Sequence, residues 1–159
     1  MDAAYNLARW LTRNDHDAKD VLQEALLRAY RFIGGLRGEP RPWLLAIVRN
    51  ACFTWLQANR PGDVADADPE EQAAETDGPE TLAARKLDRR LLNEAIAALP
   101  AQFREVLVLR ELEDLSYREI ARIIDAPIGT VMSRLARARR LLADSMRVIT
   151  QAARPKVHE

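Results

Sequence analysis

The amino-acid sequence predicts an all-α protein with two small helical domains joined by a flexible acidic linker. Glycine and aromatic residues are few, at six glycines and 6% aromatics, and the alternating pattern of strands is scarce. Apolar residues instead recur every three or four positions. The net charge is zero overall but segregated, at +2 over residues 1–59, −7 over 60–81 and +5 over 82–159. We therefore expect domains at 1–59 and 81–153 around a linker at 60–80.

The first domain begins with a short amphipathic helix over residues 3–12 and a longer one from about Asp17 to Ile33, which Gly34-Gly35 ends. The predicted core side of the longer helix contains Leu22, Ala25, Leu26, Ala29 and Ile33. Its opposite side contains Asp20, Gln23, Glu24, Leu27 and Arg31. An exposed leucine among acidic and amide groups fits a protein-docking patch, although a solvated face with one stray leucine fits equally well.

A third helix is predicted from Pro42 to about Ala58, since proline suits a first helical turn. Its predicted buried stripe is Leu44, Val48, Ala51, Cys52 and Trp55. Across from the stripe lie Ala46, Arg49, Asn50, Phe53 and Gln57, which we call the Asn50 face. An aromatic ring beside amide and cationic groups is what an unpaired base needs. A contact between helices is the other interpretation.

Residues 60–80 have little apolar content and many carboxylates, between Pro61-Gly62 and Gly78-Pro79. Such a segment cannot bury enough apolar surface to offset its ordering entropy, which predicts the linker. Thr81 then caps a helix to about Leu99, with apolar members Leu82, Leu87, Leu91, Leu92, Ile96 and Leu99. Pro100 ends it. The next helix, 101–112, should cover residues 113–140 with Phe103, Val106, Leu107, Leu109 and Leu112.

Residues 113–140 have the pattern of a helix-turn-helix. Ser116 and Glu119 form a capping box, so a helix begins there. Its apolar side is Ile120, Ala121, Ile123 and Ile124. The segment 125–129 contains Pro127 and Gly129 and should end this helix, and a second helix should open near Thr130.

On that second helix Val131, Leu135, Ala138 and Leu142 recur on one stripe and predict the buried side. At 100° per residue the opposite side, the arginine face, contains Met132, Ser133, Ala136, Arg137 and Arg140. Arg134 and Arg139 flank it. Central small or polar side chains between arginines suit a helix in the major groove, where central residues meet base edges and flanking ones meet phosphates. A basic solvated helix of an ordinary bundle is the alternative.

Several classes of function find no support in the sequence. One cysteine, Cys52, excludes an internal disulfide, and with His16 and His158 far apart no metal cluster or catalytic dyad can be assembled. We therefore expect no enzyme, no cofactor and no small-molecule substrate. No apolar run approaches the length of a membrane span and no signal pattern opens the chain, so a cytoplasmic location is expected.

Four stretches resemble extracytoplasmic-function sigma factors of bacterial RNA polymerase. Residues 114–121 (DLSYREIA) with 127–135 (PIGTVMSRL) resemble the promoter-reading helix-turn-helix of that family. Residues 17–31 resemble its second conserved region, and 43–50 (WLLAIVRN) its segment for melting and reading the minus-10 element. Leu99-Pro100 with 103–106 resembles its fourth region. The resemblance covers most of the chain, from Asp2 to about Ala143.

The resemblance implies a sigma factor that directs the polymerase to specific promoters. The implied contacts with core polymerase are Asp20, Gln23, Glu24 and Leu27. The implied minus-10 contacts are Trp43, Arg49, Asn50 and Phe53, with Asn50 at the pocket for a flipped base. The implied minus-35 contacts are Ser116, Tyr117, Thr130, Met132, Ser133, Arg134, Ala136, Arg137, Arg139 and Arg140. The β′ clamp and β flap of core polymerase, promoter DNA and an anti-sigma factor are the implied partners.

Two other functions compete with this hypothesis. A sigma-like decoy or adaptor would bind an anti-sigma factor and never read DNA, but such a mimic would be expected to lose the arginines at 134, 137, 139 and 140. A conventional dimeric repressor would use the helix-turn-helix but leaves the first domain unexplained. The first alternative does not explain the arginines, and the second does not explain the first domain.

Overall fold

A computed structural model describes residues 2–59 and 79–153, and within these ranges it contains helices and no strands. The α-helices are α1 (Asp2–Thr12), α2 (Asp15–Phe32), α3 (Pro40–Ala58), α4 (Pro79–Ala97), α5 (Ala101–Leu107), α6 (Tyr117–Ile124) and α7 (Ile128–Ala153). The all-α prediction is confirmed. The predicted linker falls almost wholly on residues 60–78, which lie outside the described residues.

The first two connections of the chain follow from local chemistry. The Asn14 side chain caps α2 by accepting a hydrogen bond from the Asp17 backbone N–H at 3.1 Å, so the helix begins at Asp15. Helix α3 begins at Pro40, where the absent N–H of proline costs nothing in the first turn. Both helices therefore start two residues before the predicted positions.

Helices α1, α2 and α3 pack against one another around a small apolar core. The buried side chains of this core include Leu7, Leu11, Ala18, Val21, Ala25, Leu45, Val48 and Cys52. The prediction that Ile33 belongs to it is wrong, because α2 ends at Phe32 and the chain turns into a 3₁₀ segment that leaves Ile33 59% exposed. On α3 the buried leucine is Leu45, whereas Leu44 is half-buried.

A π-helical turn over Val108–Leu112 comes directly after α5. The Glu113 N–H donates to the Val108 carbonyl at 3.1 Å, five residues back, which shifts the helical register. As a result Leu112, predicted in the core, is 48% exposed, and Leu115 is buried in its place. A pattern counted at 3.6 residues per turn cannot anticipate this shift.

The helix-turn-helix forms as the capping box predicted. Ser116 Oγ accepts from the Glu119 N–H, and Glu119 Oε1 accepts from the Ser116 N–H, both at 3.1 Å. The turn differs from the prediction, since Asp125 with φ 52° and ψ 56° ends α6 in the left-handed region. Helix α7 already begins at Ile128, so Gly129 lies in its first turn.

Helices α4, α5 and α6 pack against α7. The predicted stripe is confirmed at three of its four positions, with Val131, Leu135 and Ala138 buried against α5, α6 and α4, whereas Leu142 is half-buried. On α4 the agreement is partial, because Leu87 and Leu92 are 52% and 40% exposed.

The first three helices also pack against the last four. Helix α3 contacts α6 and α1 contacts α5, so the two sets share one continuous apolar cluster. We refer to these sets as the N-terminal half (α1–α3) and the C-terminal half (α4–α7).

Candidate nucleic-acid and protein-binding surfaces

The arginine face of α7 is open to solvent along its whole length. Met132 is 53% exposed, and Ser133, Ala136, Arg137 and Arg140 are exposed as well. The opposite side of α7 is buried against three helices, and this packing holds the arginine face toward solvent. The position of the face therefore agrees with the sequence prediction.

Two of the arginines on and beside this face are held by neighbours from α5 and the π turn. The Arg137 guanidinium lies 5.5 Å from the centroid of the Phe103 ring. Arg139 donates to Glu111 Oε1 from Nη2 at 2.8 Å and from Nε at 3.2 Å, and this hydrogen bond raises the Arg139 pKa. Both side chains of that pair are about half exposed, so the pair is weak. It orients Arg139 but leaves the guanidinium able to bind a phosphate.

Smaller groups complete this surface. Ser133 Oγ donates to the Thr130 carbonyl at 3.0 Å, which leaves its lone pairs directed outward. Thr130 and Arg134 are half-buried. Each hydroxyl can accept a hydrogen bond from a base edge, and Arg134 adds positive charge at the side of the face.

The start of α6 carries the remaining two predicted contacts. Ser116 is exposed and Tyr117 is half-buried beneath the Arg110 guanidinium, 4.8 Å from the ring centroid. The Glu119 carboxylate is bonded to the Ser116 N–H, so a phosphate approaching the helix start meets the Ser116 hydroxyl and not that N–H. This limits how a DNA phosphate can use the backbone at the start of α6.

The docking patch on α2 is exposed to solvent. Its members are Asp20, Gln23, Glu24 and Leu27, of which Leu27 is 58% exposed. Asp20 lies 3.4 Å from His16, and Glu24 lies 3.2 Å from Arg28, each one turn away along α2. Exposed pairs of this kind are weak, so the carboxylates remain available to a partner.

The patch extends further than the sequence predicted. Tyr30 is 80% exposed, and Phe32 and Ile33 are 66% and 59% exposed. Leu27 and Tyr30 are three residues apart and therefore lie on one side of a helix, which was the available signal. The assignment of Ile33 to the core concealed this larger apolar surface. The end of α2 is thus an apolar surface with an acidic border.

The Asn50 face of α3 is only partly open. Asn50 is exposed, whereas Trp43, Arg49 and Phe53 are half-buried. Arg49 stacks over the Phe53 ring at 4.0 Å from its centroid and reaches Asn50 Oδ1 at 3.4 Å. The three side chains Arg49, Asn50 and Phe53 therefore form one connected group.

Arg49 is also bound by Glu105 of the C-terminal half. Its Nε donates to Oε2 at 2.8 Å and its Nη2 to Oε1 at 3.1 Å, which is the bidentate geometry that guanidinium prefers. The Glu105 side chain has no exposure, and that of Arg49 has 20%. Burial raises the pKa of Glu105, and the hydrogen bonds from Arg49 oppose that shift without reversing it.

Sequence reasoning missed Arg104 and Glu105 altogether. They interrupt the apolar run 103–109, and two adjacent charges in such a run were the available signal. Arg104 is 4% exposed and donates to three backbone carbonyls: Ala97 at 3.0 Å, Leu99 at 2.9 Å and Leu11 at 3.2 Å. Burial, followed by the positive charge of Arg13, lowers the Arg104 pKa to about 10.

The described part of the chain holds no cluster of three or more His, Cys, Asp or Glu that could bind a metal ion. Over the same residues, no helix is both long enough and apolar enough to cross a membrane. Cys52 is buried, and burial raises the pKa of its thiol to about 12.

Comparison with known proteins finds family matches in two regions of the chain. Residues 1–61 match the family described as Sigma-70 region 2, and residues 89–142 match the one described as Sigma-70, region 4. The ECF RNA polymerase sigma-E factor of Haemophilus influenzae is 36% identical over 151 residues, covering 88% of this chain and 79% of the relative. That of Escherichia coli K12 is 39% identical over 134 residues, covering 77% and 70%.

Two solved structures share the fold. The sigma factor RpoE from Bartonella quintana, crystallised with the anti-sigma factor NepR, superposes with a TM-score of 0.74 at 23% identity, over 92% of this chain and 91% of that one. CnrH in complex with the cytosolic domain of CnrY superposes with a TM-score of 0.65 at 21% identity, over 96% of this chain and 83% of that one. At these identities the likeness concerns the fold alone.

Proposed function

The chain belongs to the extracytoplasmic-function sigma factors, which direct bacterial RNA polymerase to promoters, and we propose how its surfaces divide that work. Residues 1–59 bind core polymerase and the minus-10 element, and residues 81–153 bind the minus-35 element. Residues 60–80 connect the two. The protein acts without catalytic chemistry of its own.

The observation that carries this proposal is the arginine face of α7. A fully exposed face with small central side chains and flanking arginines fits the major groove, whose base edges are read by short-range hydrogen bonds. Ser133, Ala136 and Arg137 face the bases in this arrangement, with Met132 beside them. Arg139 and the remaining minus-35 residues position the DNA backbone; these are Ser116, Tyr117, Thr130, Arg134 and Arg140.

In the N-terminal half, Asn50 is the residue we propose for an unpaired base of the minus-10 element. It is exposed and adjoins a guanidinium stacked on an aromatic ring, and amide, cation and π surface together suit a base outside the duplex. Arg49, Phe53 and Trp43 complete the pocket. Its full use requires that Arg49 leave Glu105.

The docking patch on α2 is proposed to bind the β′ clamp of core polymerase, through Asp20, Gln23, Glu24 and Leu27, while the C-terminal half meets the β flap. The exposed leucine supplies apolar contact and the border residues supply hydrogen bonds. Two weak DNA contacts then act together, because the polymerase fixes their separation and raises the effective concentration of each. Since polymerase is its partner, the protein works in the cytoplasm.

An anti-sigma factor is proposed as a further partner. The two structural neighbours are in complex with an anti-sigma factor and with the cytosolic domain of CnrY. Exposed apolar groups at the end of α2 provide a surface that such a protein could cover.

Run-off transcription with purified core polymerase and a promoter library tests the proposal. Arg137→Ala should cost about 1–3 kcal/mol at one base position of the minus-35 element, whereas Arg139→Ala should weaken all promoters alike. Arg147→Ala is the matched control, because Arg147 is exposed on the same helix but pairs with Asp144 beyond the arginine face. Equal changes in sequence preference for Arg137→Ala and Arg139→Ala would overturn the face assignment. Binding to an anti-sigma factor without any transcripts would identify a decoy instead.

A further inference from the structure

Two of the arginines assigned to DNA, Arg137 and Arg139, are held by their neighbours in different ways. Glu111 binds the edge of the Arg139 guanidinium, which donates to Oε1 from Nη2 at 2.8 Å and from Nε at 3.2 Å. The Arg137 guanidinium instead lies over the Phe103 ring, 5.5 Å from its centroid. A guanidinium within about 6 Å of a ring centroid is attracted to the negative face of the ring. The two arginines therefore present different sets of free donors to DNA.

The contact with Phe103 leaves the N–H donors of Arg137 available. An aromatic ring has no lone pair to accept them, so the attraction uses the charge of the guanidinium and not its hydrogen bonds. Within the described residues no carboxylate forms an ion pair with Arg137. Two adjacent free donors are what a bidentate contact with guanine O6 and N7 needs. Arg139 has already given two of its donors to Glu111, which suits a contact with a single phosphate oxygen better.

Phe103 is itself fixed by its surroundings. Its ring is half-buried and packs against the apolar core. Its N–H donates to the Pro100 carbonyl at 3.0 Å, in the first turn of α5. The next residue, Arg104, donates to three backbone carbonyls and holds the start of α5 in place. A fixed ring limits the rotamers of the side chain that rests on it, so Arg137 loses less rotamer entropy when it binds a base.

We infer that Phe103 is a positioning residue for promoter reading; this inference rests on the proposed function. Its ring holds the Arg137 guanidinium toward one base pair of the minus-35 element, and Phe103 thereby sets the preference for that base pair through Arg137. Arg139 is bound to Glu111 and not to the ring, so it contributes affinity for all sequences alike. The sequence predicts for Phe103 only the packing of α5 over residues 113–140, and the ring contact gives it a second role.

The first experiment detects the ring contact without DNA or polymerase. Nuclear magnetic resonance of the full chain measures the δ protons of Arg137, which are assigned by their absence from Arg137→Ala. The ring current of Phe103 should move them upfield of the δ protons of Arg140, which is exposed on the same face of α7. Phe103→Leu should remove this shift, and Phe103→Tyr should keep it because tyrosine restores the ring. Equal shifts for Arg137 and Arg140 in the wild-type chain would refute the inference without any variant.

The second experiment measures sequence preference. Run-off transcription with core polymerase uses a promoter library randomised over the minus-35 element, and Arg137→Ala identifies the position that Arg137 reads. At that position Phe103→Leu should lower the preference for the best base by about two- to five-fold, the range for an exposed cation–π contact, and leave other positions unchanged. Phe103→Tyr should restore the preference. An equal loss at every position would contradict the positioning role.

Val106→Ala is the matched control for a loss of packing. Val106 is buried on the same helix, so its truncation destabilises the C-terminal half but keeps the ring. Urea unfolding shows how far each variant is destabilised. Val106→Ala should leave the sequence preference unchanged. If it changes the preference as Phe103→Leu does, the effect comes from packing and the inference is wrong.

A double-mutant cycle tests whether Phe103 acts through Arg137. In the Arg137→Ala background, Phe103→Leu should lower the preference no further. Additive losses would show that Phe103 acts independently of Arg137, which would overturn the inference and leave the proposed function intact. Failure of the wild-type chain to transcribe any promoter counts instead against the proposed function. The resonance comparison decides in that case as well whether Phe103 holds Arg137, because it uses neither promoter nor polymerase.

Discussion

Replacing Arg104 by methionine tests how much a buried guanidinium contributes to this fold. The side chain is 4% exposed and donates to carbonyls of Ala97, Leu99 and Leu11, between 2.9 and 3.2 Å. Methionine fills similar space but donates nothing, so the three carbonyls lose their partner. Two of these carbonyls lie at the end of α4 and the third near the end of α1, where a cation also interacts favourably with the helix dipole.

The expected change in the free energy of unfolding results from two opposing contributions. Three charge-assisted hydrogen bonds at about 2 kcal/mol each contribute about 6 kcal/mol. Burial of the charge lowers the pKa of Arg104 from 12.5 to about 10, which corresponds to about 3 kcal/mol of destabilisation. The Nε atom is buried without a hydrogen-bond partner, in keeping with that cost. We expect Arg104→Met to lower the free energy of unfolding by about 3 kcal/mol, toward the upper range for single substitutions.

Urea unfolding followed by far-ultraviolet circular dichroism measures this change, with the slope against urea checked for constancy. Arg90→Met is the matched control, since Arg90 is exposed on α4 and its replacement should change the free energy by less than about 0.5 kcal/mol. Arg104→Lys should fall between the two, because an ammonium keeps the charge but cannot span three acceptors with a planar fork. If Arg104→Met proves as stable as Arg90→Met, the hydrogen bonds do not outweigh the cost of burying the charge.

Three further predictions can be tested on the purified protein, two by urea unfolding and one by the rate of a thiol reaction. Ser116→Ala removes the capping box and should cost about 1 kcal/mol in urea unfolding, while Thr150→Ala on the exposed end of α7 should be nearly neutral; similar costs would contradict the cap. Gly38→Ala should cost about 1 kcal/mol, since Gly38 has φ +84° and an added Cβ would lie 2.9 Å from a guanidinium nitrogen, whereas Gly34→Ala meets open space and should cost less. Cys52 should react with a thiol reagent at about pH 8 roughly 1000-fold more slowly in the native protein than in denaturant, because its pKa is raised from 9.0 to about 12; equal rates would show that the thiol is accessible.

Local sequence rules predicted those parts of the fold that depend on neighbours in the chain. The capping box at Ser116 and the buried stripe from Val131 to Ala138 are both confirmed, since each follows from backbone geometry within a few residues. The start of α7 was misplaced because Asp125 supplies the left-handed turn for which glycine was expected. Aspartate also tolerates the left-handed conformation, so either Asp125 or Gly129 could have formed the turn that ends α6.

The features that the sequence did not predict depend on contacts between distant segments. Leu112 is exposed because a π turn shifts the register of a helix whose sequence pattern is regular. Arg104 and Glu105 are buried because α1 and α3 supply their partners from the other half of the chain. A single-sequence pattern treats such charges as solvated, and only the packing of the halves shows otherwise.

The same polar partners make the contact between the halves reversible. Arg49, Glu105 and Arg104 lose hydration when the halves pack, and they regain it on separation. Their mutual attraction when the halves are packed is therefore offset by the hydration that they would recover on separation, and the free energy of separating the halves is smaller than for an apolar interface of equal area.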